Sequence, residues 1–278
     1  MRLGLLCGAL VVLALTGLIA RPVVERQLKP RSRFVYARGA LSQPAYEALG
    51  ARPGWATIAL PVGGGVSLRG LIRRPRSPEG ARWIVFFPGN DHTQLERGQK
   101  VLESLASGAD EGLLVFAYRG FDGSLGKPDP RALADDACRI LDLLLVGERV
   151  DPRRIHVVGF SLGGFLSVAA VAGAAKRGQA VRSLSLLATV TFVEMNFSSL
   201  GARFSVGDVY DTLHYLPDLS GPILLAHGSD DATLPLEGSQ EMARKLGSRA
   251  SFVEIPRASH DLMASTAAVE QVRAMIAR

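Results

Sequence analysis

From Trp55 onward the chain alternates short apolar runs with longer amphipathic ones, and this alternation restricts the fold more than any other feature of the sequence. WATIALPV (55–62) and VSLRGLIRR (66–74) flank the glycine run Gly63–Gly65, the pattern of a hairpin. WIVFFP (83–88), LLVFAY (113–118), IHVVGF (155–160), VRSLSLLA (181–188), PILLAH (222–227) and SFVEIP (251–256) follow. Most are continuously apolar and rich in β-branched or aromatic residues, as strands covered on both faces are. Helices are predicted near 93–107, 131–147, 162–176, 236–247 and 264–277. Such alternation implies a parallel sheet with helices on both faces, and the leading hairpin makes it an eight-stranded, mostly parallel α/β sheet in one domain over residues 55–278. Residues 190–221 separate two strands by far more than an ordinary connection and are expected to form a small lid.

The amino-terminal stretch is of a different kind. Leu3 to Ala20 is free of charge, and as a helix it would be about 27 Å long, close to the hydrocarbon thickness of a bilayer. Residues 1–20 are therefore expected to be a membrane anchor or a signal segment. A signal peptide wants small residues at −3 and −1 of its cut, and Leu18 with Ala20 fits poorly, which favours a retained anchor. Residues 21–54 read as a basic juxtamembrane arm and connector, with one helical turn expected in 39–54. Arg21, Arg26, Lys29, Arg31, Arg33 and Arg38 follow the span, which leans toward a cytoplasmic catalytic domain by the positive-inside rule. Cleavage would instead give a secreted or periplasmic protein.

The formal charge of +6 suggests nucleic acid only until it is located. Residues 1–54 hold 8 Lys+Arg against 2 Asp+Glu, and the rest of the chain holds 24 of each sign. A neutral main domain has no compositional attraction to phosphate backbones, so no nucleic-acid partner is expected. Cys7 and Cys138 are too few for a disulfide framework or a zinc site, and there is no H-E-x-x-H, P-loop or G-x-G-x-x-G after the first strands. No metal and no cofactor are expected.

Chemistry concentrates where an apolar strand meets a helix rich in small residues: Gly159-Phe160-Ser161-Leu162-Gly163. A serine on such a tight turn is exposed beside the positive end of the following helix, and glycines on either side let the backbones crowd together. A serine hydroxyl needs a base, and the base needs an orienting acid. Of the five histidines, His156 lies within a strand, His227 ends one, His214 is in the expected lid and His92 stands beside a helix start. His260 follows the last strand in RASHDL and would project over the sheet edge. The acid candidates are Asp230 and Asp231 in HGSDDATLP. The order serine, aspartate, histidine, each after a strand end, matches that of a hydrolase built on an open α/β sheet.

Here the chain resembles the α/β-hydrolase superfamily, nearest its membrane-anchored α/β-hydrolase-domain proteins and the serine-aminopeptidase-like hydrolases. The resemblance runs from about Trp55 to the last residue and rests on FFPGN (86–90), YRGFDGSLGKP (118–128), GFSLGG (159–164), HGSDDATLP (227–235) and the His260 loop. The pattern H-G-x-x-D-x-x-V-P of the family selects Asp231 as the acid. The chain departs from the usual H-G-N at Pro88 and from the usual D-Y-R-G at Ala117. The resemblance implies an α/β-hydrolase fold, a Ser161–Asp231–His260 triad, and an oxyanion hole formed by the backbone N–H groups of Asn90 and Leu162.

The expected activity is that of a serine hydrolase cleaving carboxylic esters or thioesters through an acyl-enzyme, with a decline below about pH 6.5 as the histidine protonates. Phe192, Val193, Met195, Phe197, Leu200 and Phe204 in the expected lid suit a small-molecule acyl substrate, lipids included. Two alternatives stand beside it: a peptidase on the same triad, and a catalytically silent fold serving as a membrane-bound binding protein. The sequence is silent on oligomeric state.

Overall fold

The computed structural model describes residues 39–189 and 212–278. The expected anchor (1–20), most of the basic arm and the greater part of the expected lid lie outside the described residues. Eight strands form one sheet: β1 (Trp55–Gly63), β2 (Val66–Arg73), β3 (Trp83–Phe87), β4 (Gly112–Phe116), β5 (Ile155–Phe160), β6 (Ser183–Leu187), β7 (Ile223–Gly228) and β8 (Ala250–Ile255). Their order is β1-β2-β4-β3-β5-β6-β7-β8. The β1/β2 and β2/β4 pairs are antiparallel and all the others parallel. This is the eight-stranded, mostly parallel sheet expected from the alternation, in the arrangement that the resemblance to α/β-hydrolases implies. Among the described residues the α-helices are α1 (Gln43–Gly50), α2 (Gln94–Leu105), α3 (Pro130–Asp142), α4 (Leu162–Lys176), α5 (Leu236–Leu246) and α6 (Thr266–Ile276), with one α-helical turn at Thr212–Tyr215.

Burial follows sequence pattern strand by strand. Every position of β3 to β7 is buried, so their apolar runs serve both faces of the sheet. The edge strands β1 and β8 mix buried or half-buried positions with exposed ones. Each fully buried Leu, Ile, Val or Phe contributes about 1.5–3 kcal/mol to the core. Helix α4 (LGGFLSVAAVAGAAK) is apolar all round and buried along most of its length, as a helix enclosed on every side must be.

The connector holds more structure than the one turn expected. Ser42 Oγ accepts from Ala45 N–H at 3.3 Å and caps α1. The buried Tyr46 hydroxyl lies 2.9 Å from Ile58 O and 3.0 Å from Gly70 O, tying the helix onto β1 and β2.

The topology also fixes where a ligand can reach the chain. From β3 the chain passes through α2 to β4 on one side; from β5 it passes through α4 to β6 on the other. β3 and β5 are adjacent and parallel, with Phe87 opposite Gly159. Their following segments, 88–92 and 161–163, therefore diverge from a common point at the carboxyl edge, the switch point at which open α/β sheets form a crevice.

Candidate active site

Ser161 sits on that crevice in a conformation few L residues adopt, with φ 53° and ψ −117°. Its N–H donates to Leu187 O at 2.9 Å, which holds the turn against β6. Two glycines make the turn passable. A Cβ on Gly159 would stand 2.2 Å from Ser167 Oγ and 2.6 Å from Gly163 O; one on Gly163 would stand 1.9 Å from Phe87 O. The strand, the turn and the β3 loop thus pack backbone to backbone, and the strain at Ser161 is held by its surroundings.

The loops after β7 and β8 complete the cluster. His260 Nε2 lies 3.0 Å from Ser161 Oγ and His260 Nδ1 lies 2.8 Å from Asp231 Oδ2, although 99 and 29 residues of chain separate the partners. A carboxylate on Nδ1 assigns the proton there, leaving Nε2 to accept the serine proton. The other carboxylate oxygen, Asp231 Oδ1, accepts from Thr233 N–H at 2.8 Å and Leu234 N–H at 2.9 Å. Burial pushes the Asp231 carboxyl up, but hydrogen bonds from Leu234, His260 and Thr233 outweigh it and hold the group below the usual carboxylate range. Asp230, the other candidate, is exposed and accepts from the Ser229 hydroxyl. The Phe160 ring packs against the imidazole of His260, with centroids 5.2 Å apart.

Leu162 opens α4, so its N–H has no acceptor within the helix, and it lies next to Ser161 at the positive end of the helix dipole. Asn90 lies on the opposing loop. A Cβ on Gly89 would reach 3.4 Å from Ser161 Cβ, which places that loop's backbone directly beside the serine.

The sequence alone did not show what holds this loop. The buried Tyr118 hydroxyl donates to Pro88 O at 2.7 Å. The fully buried Gln94 accepts from Tyr118 N–H and donates to Gly89 O, both at 2.9 Å. Burial holds the Tyr118 phenol well above its ordinary pKa, so it remains a donor. Gln94 is itself positioned at the start of α2, where Asp122 Oδ2 accepts from Leu95 N–H at 2.8 Å and caps the helix from a distant loop. The neighbouring Ala117 is held through its backbone, its N–H on Arg69 O at 2.9 Å and its carbonyl on the Ser124 hydroxyl at 2.8 Å. The loop is thus anchored with Pro88 and Ala117 in place. The only sequence signal was the quoted YRG segment, which shows an aromatic residue but not its target.

Arg97 links the two loops that flank the serine. It pairs with Asp91 at 2.6 Å, one residue past Asn90, and with Asp261, one residue past His260. Its guanidinium lies 5.8 Å from the centroid of the Phe160 ring. Of the other histidines, His92 and His214 are exposed, while His156 and His227 are buried. Among the described residues no group of three or more His, Cys, Asp or Glu is placed to hold a metal ion. Nor, among those residues, is any helix long and apolar enough to cross a membrane. A hydroxyl on a strained turn, bonded to an imidazole that a buried carboxylate orients, is an arrangement able to move a proton off the hydroxyl.

Comparison with known proteins agrees with this architecture. Residues 84–207 match the alpha/beta hydrolase family. Over 256 residues the chain is 25% identical to the uncharacterized protein Rv2307c of Mycobacterium tuberculosis, covering 92% of this chain and 89% of that protein. The crystal structure of an alpha-beta hydrolase from Vibrio vulnificus superposes with a TM-score of 0.71 at 22% identity, over 90% of this chain and 94% of that one. Carboxyl esterase 2 from the mycorrhizal fungus Tuber melanosporum superposes with a TM-score of 0.62 at 16% identity, over 88% of this chain and 93% of the esterase.

Proposed function

From the premise that this chain is an α/β-hydrolase-fold protein, we propose that it is a serine hydrolase of carboxylic esters or thioesters. The observation that carries the proposal is the unbroken line Ser161 Oγ, His260 Nε2, His260 Nδ1, Asp231 Oδ2, with gaps of 3.0 and 2.8 Å. Ser161 Oγ attacks the acyl carbon as its proton passes to His260 Nε2. Asp231 keeps the imidazole in the accepting tautomer and stabilises the imidazolium that forms. The oxygen of the attacked carbonyl takes up negative charge and is met by the N–H groups of Leu162 and Asn90. Loss of one such donor typically costs about 2.7–4 kcal/mol of transition-state stabilisation.

His260 then protonates the leaving alcohol or thiol, and an acyl-Ser161 remains. Water, deprotonated by His260, attacks the acyl group and releases the acid and the free serine. The likeness in fold to a carboxyl esterase supports ester over peptide substrates. The uncharged span from Leu3 to Ala20 supports anchoring at a membrane, where a lipid acyl group would be at hand.

A fluorophosphonate probe tests the nucleophile. The wild-type chain is expected to label and Ser161→Ala to remain unlabelled while keeping its circular-dichroism spectrum; labelling of a folded Ser161→Ala chain refutes the proposal. Hydrolysis of p-nitrophenyl esters but not of aminoacyl-naphthylamides is expected, and the reverse result assigns the site to a peptidase.

A further inference from the structure

His227 is the one fully buried histidine beside the triad, and the mechanism above leaves it without a task. It is the penultimate residue of β7, four residues before Asp231. Its Nδ1 lies 2.7 Å from Ser239 Oγ on α5, and its Nε2 lies 3.2 Å from Leu234 O and 3.1 Å from Asp231 Oδ2. Both neighbours of Nε2 are acceptors, so the neutral ring carries its proton there and Nδ1 accepts from the Ser239 hydroxyl. The N–H aims at Leu234 O and lays its positive end beside Asp231 Oδ2, the same oxygen that faces His260 Nδ1 at 2.8 Å. Leu234 in turn donates its own N–H to Asp231 Oδ1 at 2.9 Å. One imidazole therefore bears on both carboxylate oxygens, one directly and the other through the turn it braces.

We propose that His227 is a positioning residue for the reaction, fixing the seat and the basicity of Asp231 and so how strongly His260 holds its proton. The inference rests on the serine-hydrolase reading and deepens it. Among the described residues, His260 and His227 are the titratable groups in contact with Asp231. Asp230 is turned to the Ser229 hydroxyl, and Arg97, with Asp91 and Asp261, stands against the Phe160 ring. Removing the Nε2 dipole leaves Oδ2 more basic, which favours the imidazolium form of His260 and moves the acidic limb of the rate profile to higher pH.

The test measures kcat and KM against pH with p-nitrophenyl butyrate, using the full chain as wild type, His227→Leu, His227→Gln and Ser239→Ala. For His227→Leu, kcat is expected to fall about tenfold with KM little changed, and the acidic limb to rise by about half a unit to one unit, the worth of one hydrogen bond. His227→Gln returns an N–H donor near the position of Nε2 and is expected to restore most of both. An acidic limb that coincides with wild type in folded His227→Leu overturns the inference, because loss of packing alone lowers rate without moving the limb. Should His227→Leu fail to fold, Ser239→Ala decides: a raised limb supports the assignment and an unmoved limb overturns it. A wild-type chain with neither turnover nor fluorophosphonate labelling overturns the hydrolase reading itself, a result distinct from an active wild type with an unmoved variant.

Discussion

The two ends of the sheet each hold a histidine against a serine, and only one of the pairs is built to react. At the carboxyl edge His260 Nε2 faces Ser161 Oγ at 3.0 Å; at the amino edge His156 Nδ1 faces Ser183 Oγ at 2.8 Å. By distance alone the second pair is the better one. Its surroundings differ in every respect that matters to chemistry. Burial, with Arg82 and Arg182 nearby, depresses the His156 pKa to about 4, too low for a useful base near neutral pH. Arg82, Arg153, Arg154, Arg182 and Arg278 line a cavity of about 420 Å³ there, with Asp151 the one acidic side chain among them. His156 and Ser183 are both buried, and Ser183 opens β6 in ordinary strand geometry. At the other edge a buried carboxylate orients the ring, the serine is raised on a strained turn, and a helix begins beside it. Proximity of a hydroxyl and an imidazole is common in a packed core. The acid, the turn and the helix start convert it into a site.

The strongest way to break this contrast is to exchange the serines. Ser161→Ala is expected to lower ester turnover by about 10⁴-fold or more and to end labelling, whereas Ser183→Ala leaves labelling intact. Labelling that disappears only in a folded Ser183→Ala chain would put the reactive pair at the wrong end. Next in size is Asp231→Asn, which offers His260 an amide in place of a carboxylate and is expected to lower kcat by about 10³- to 10⁴-fold with the fold retained. The same change at the exposed Asp230 should leave kcat within about twofold in the same assay, since a surface substitution away from the site costs little.

The amino edge makes a smaller prediction, about stability rather than rate. His156 takes up a proton near pH 6.5 when unfolded and only near 4 when folded. Between those values the unfolded chain binds more protons, so stability falls as pH is lowered. The loss amounts to at most about 3 kcal/mol once the folded pKa is passed. Urea unfolding at pH 7 and pH 4.5 should show it, and His156→Gln should flatten this part of the profile; an unchanged slope would mean the imidazole is not held neutral. A smaller effect than that at His156 is expected of Tyr118→Phe, which removes the hydroxyl from Pro88 O. About 1 kcal/mol of stability and a several-fold loss in kcat are expected, read by thermal melting and ester turnover. A melt lowered without any change in kcat would show that the 88–90 loop keeps its place without that bond.

Much of the architecture was legible because the signals were local. A run such as WIVFF or GLLVF is short, apolar at every position and rich in β-branched or aromatic residues, the pattern of a strand covered on both faces. Ser161 was legible for a similar reason: the glycines at 159 and 163 lie within two residues of it, and the clashes they avoid are between atoms nearby in the chain or across one strand pair. The second turn of α1 was missed because it depends on Tyr46 reaching Ile58 and Gly70, contacts 12 and 24 residues away. Gln94 gave no signal at all. In sequence it is one polar residue at a helix start, and its importance comes from meeting Gly89 O on one side and Tyr118 N–H on the other.

By itself the sequence determined the strand–helix order, the sharp turn at Ser161 and the presence of one histidine and two aspartates on later loops. These follow from hydrophobic periodicity and from steric limits acting over a few bonds. The resemblance pointed to Asp231 and His260, but the chemistry of the side chains alone does not choose between Asp231 and Asp230 or among the histidines; the tertiary structure brings Asp231 to His260 and His260 to Ser161, and it alone shows His227 behind the acid. Neighbouring aspartates have the same chemistry. Only the paths of β7 and β8, brought side by side in the sheet, determine which carboxylate faces inward to an imidazole and which faces water.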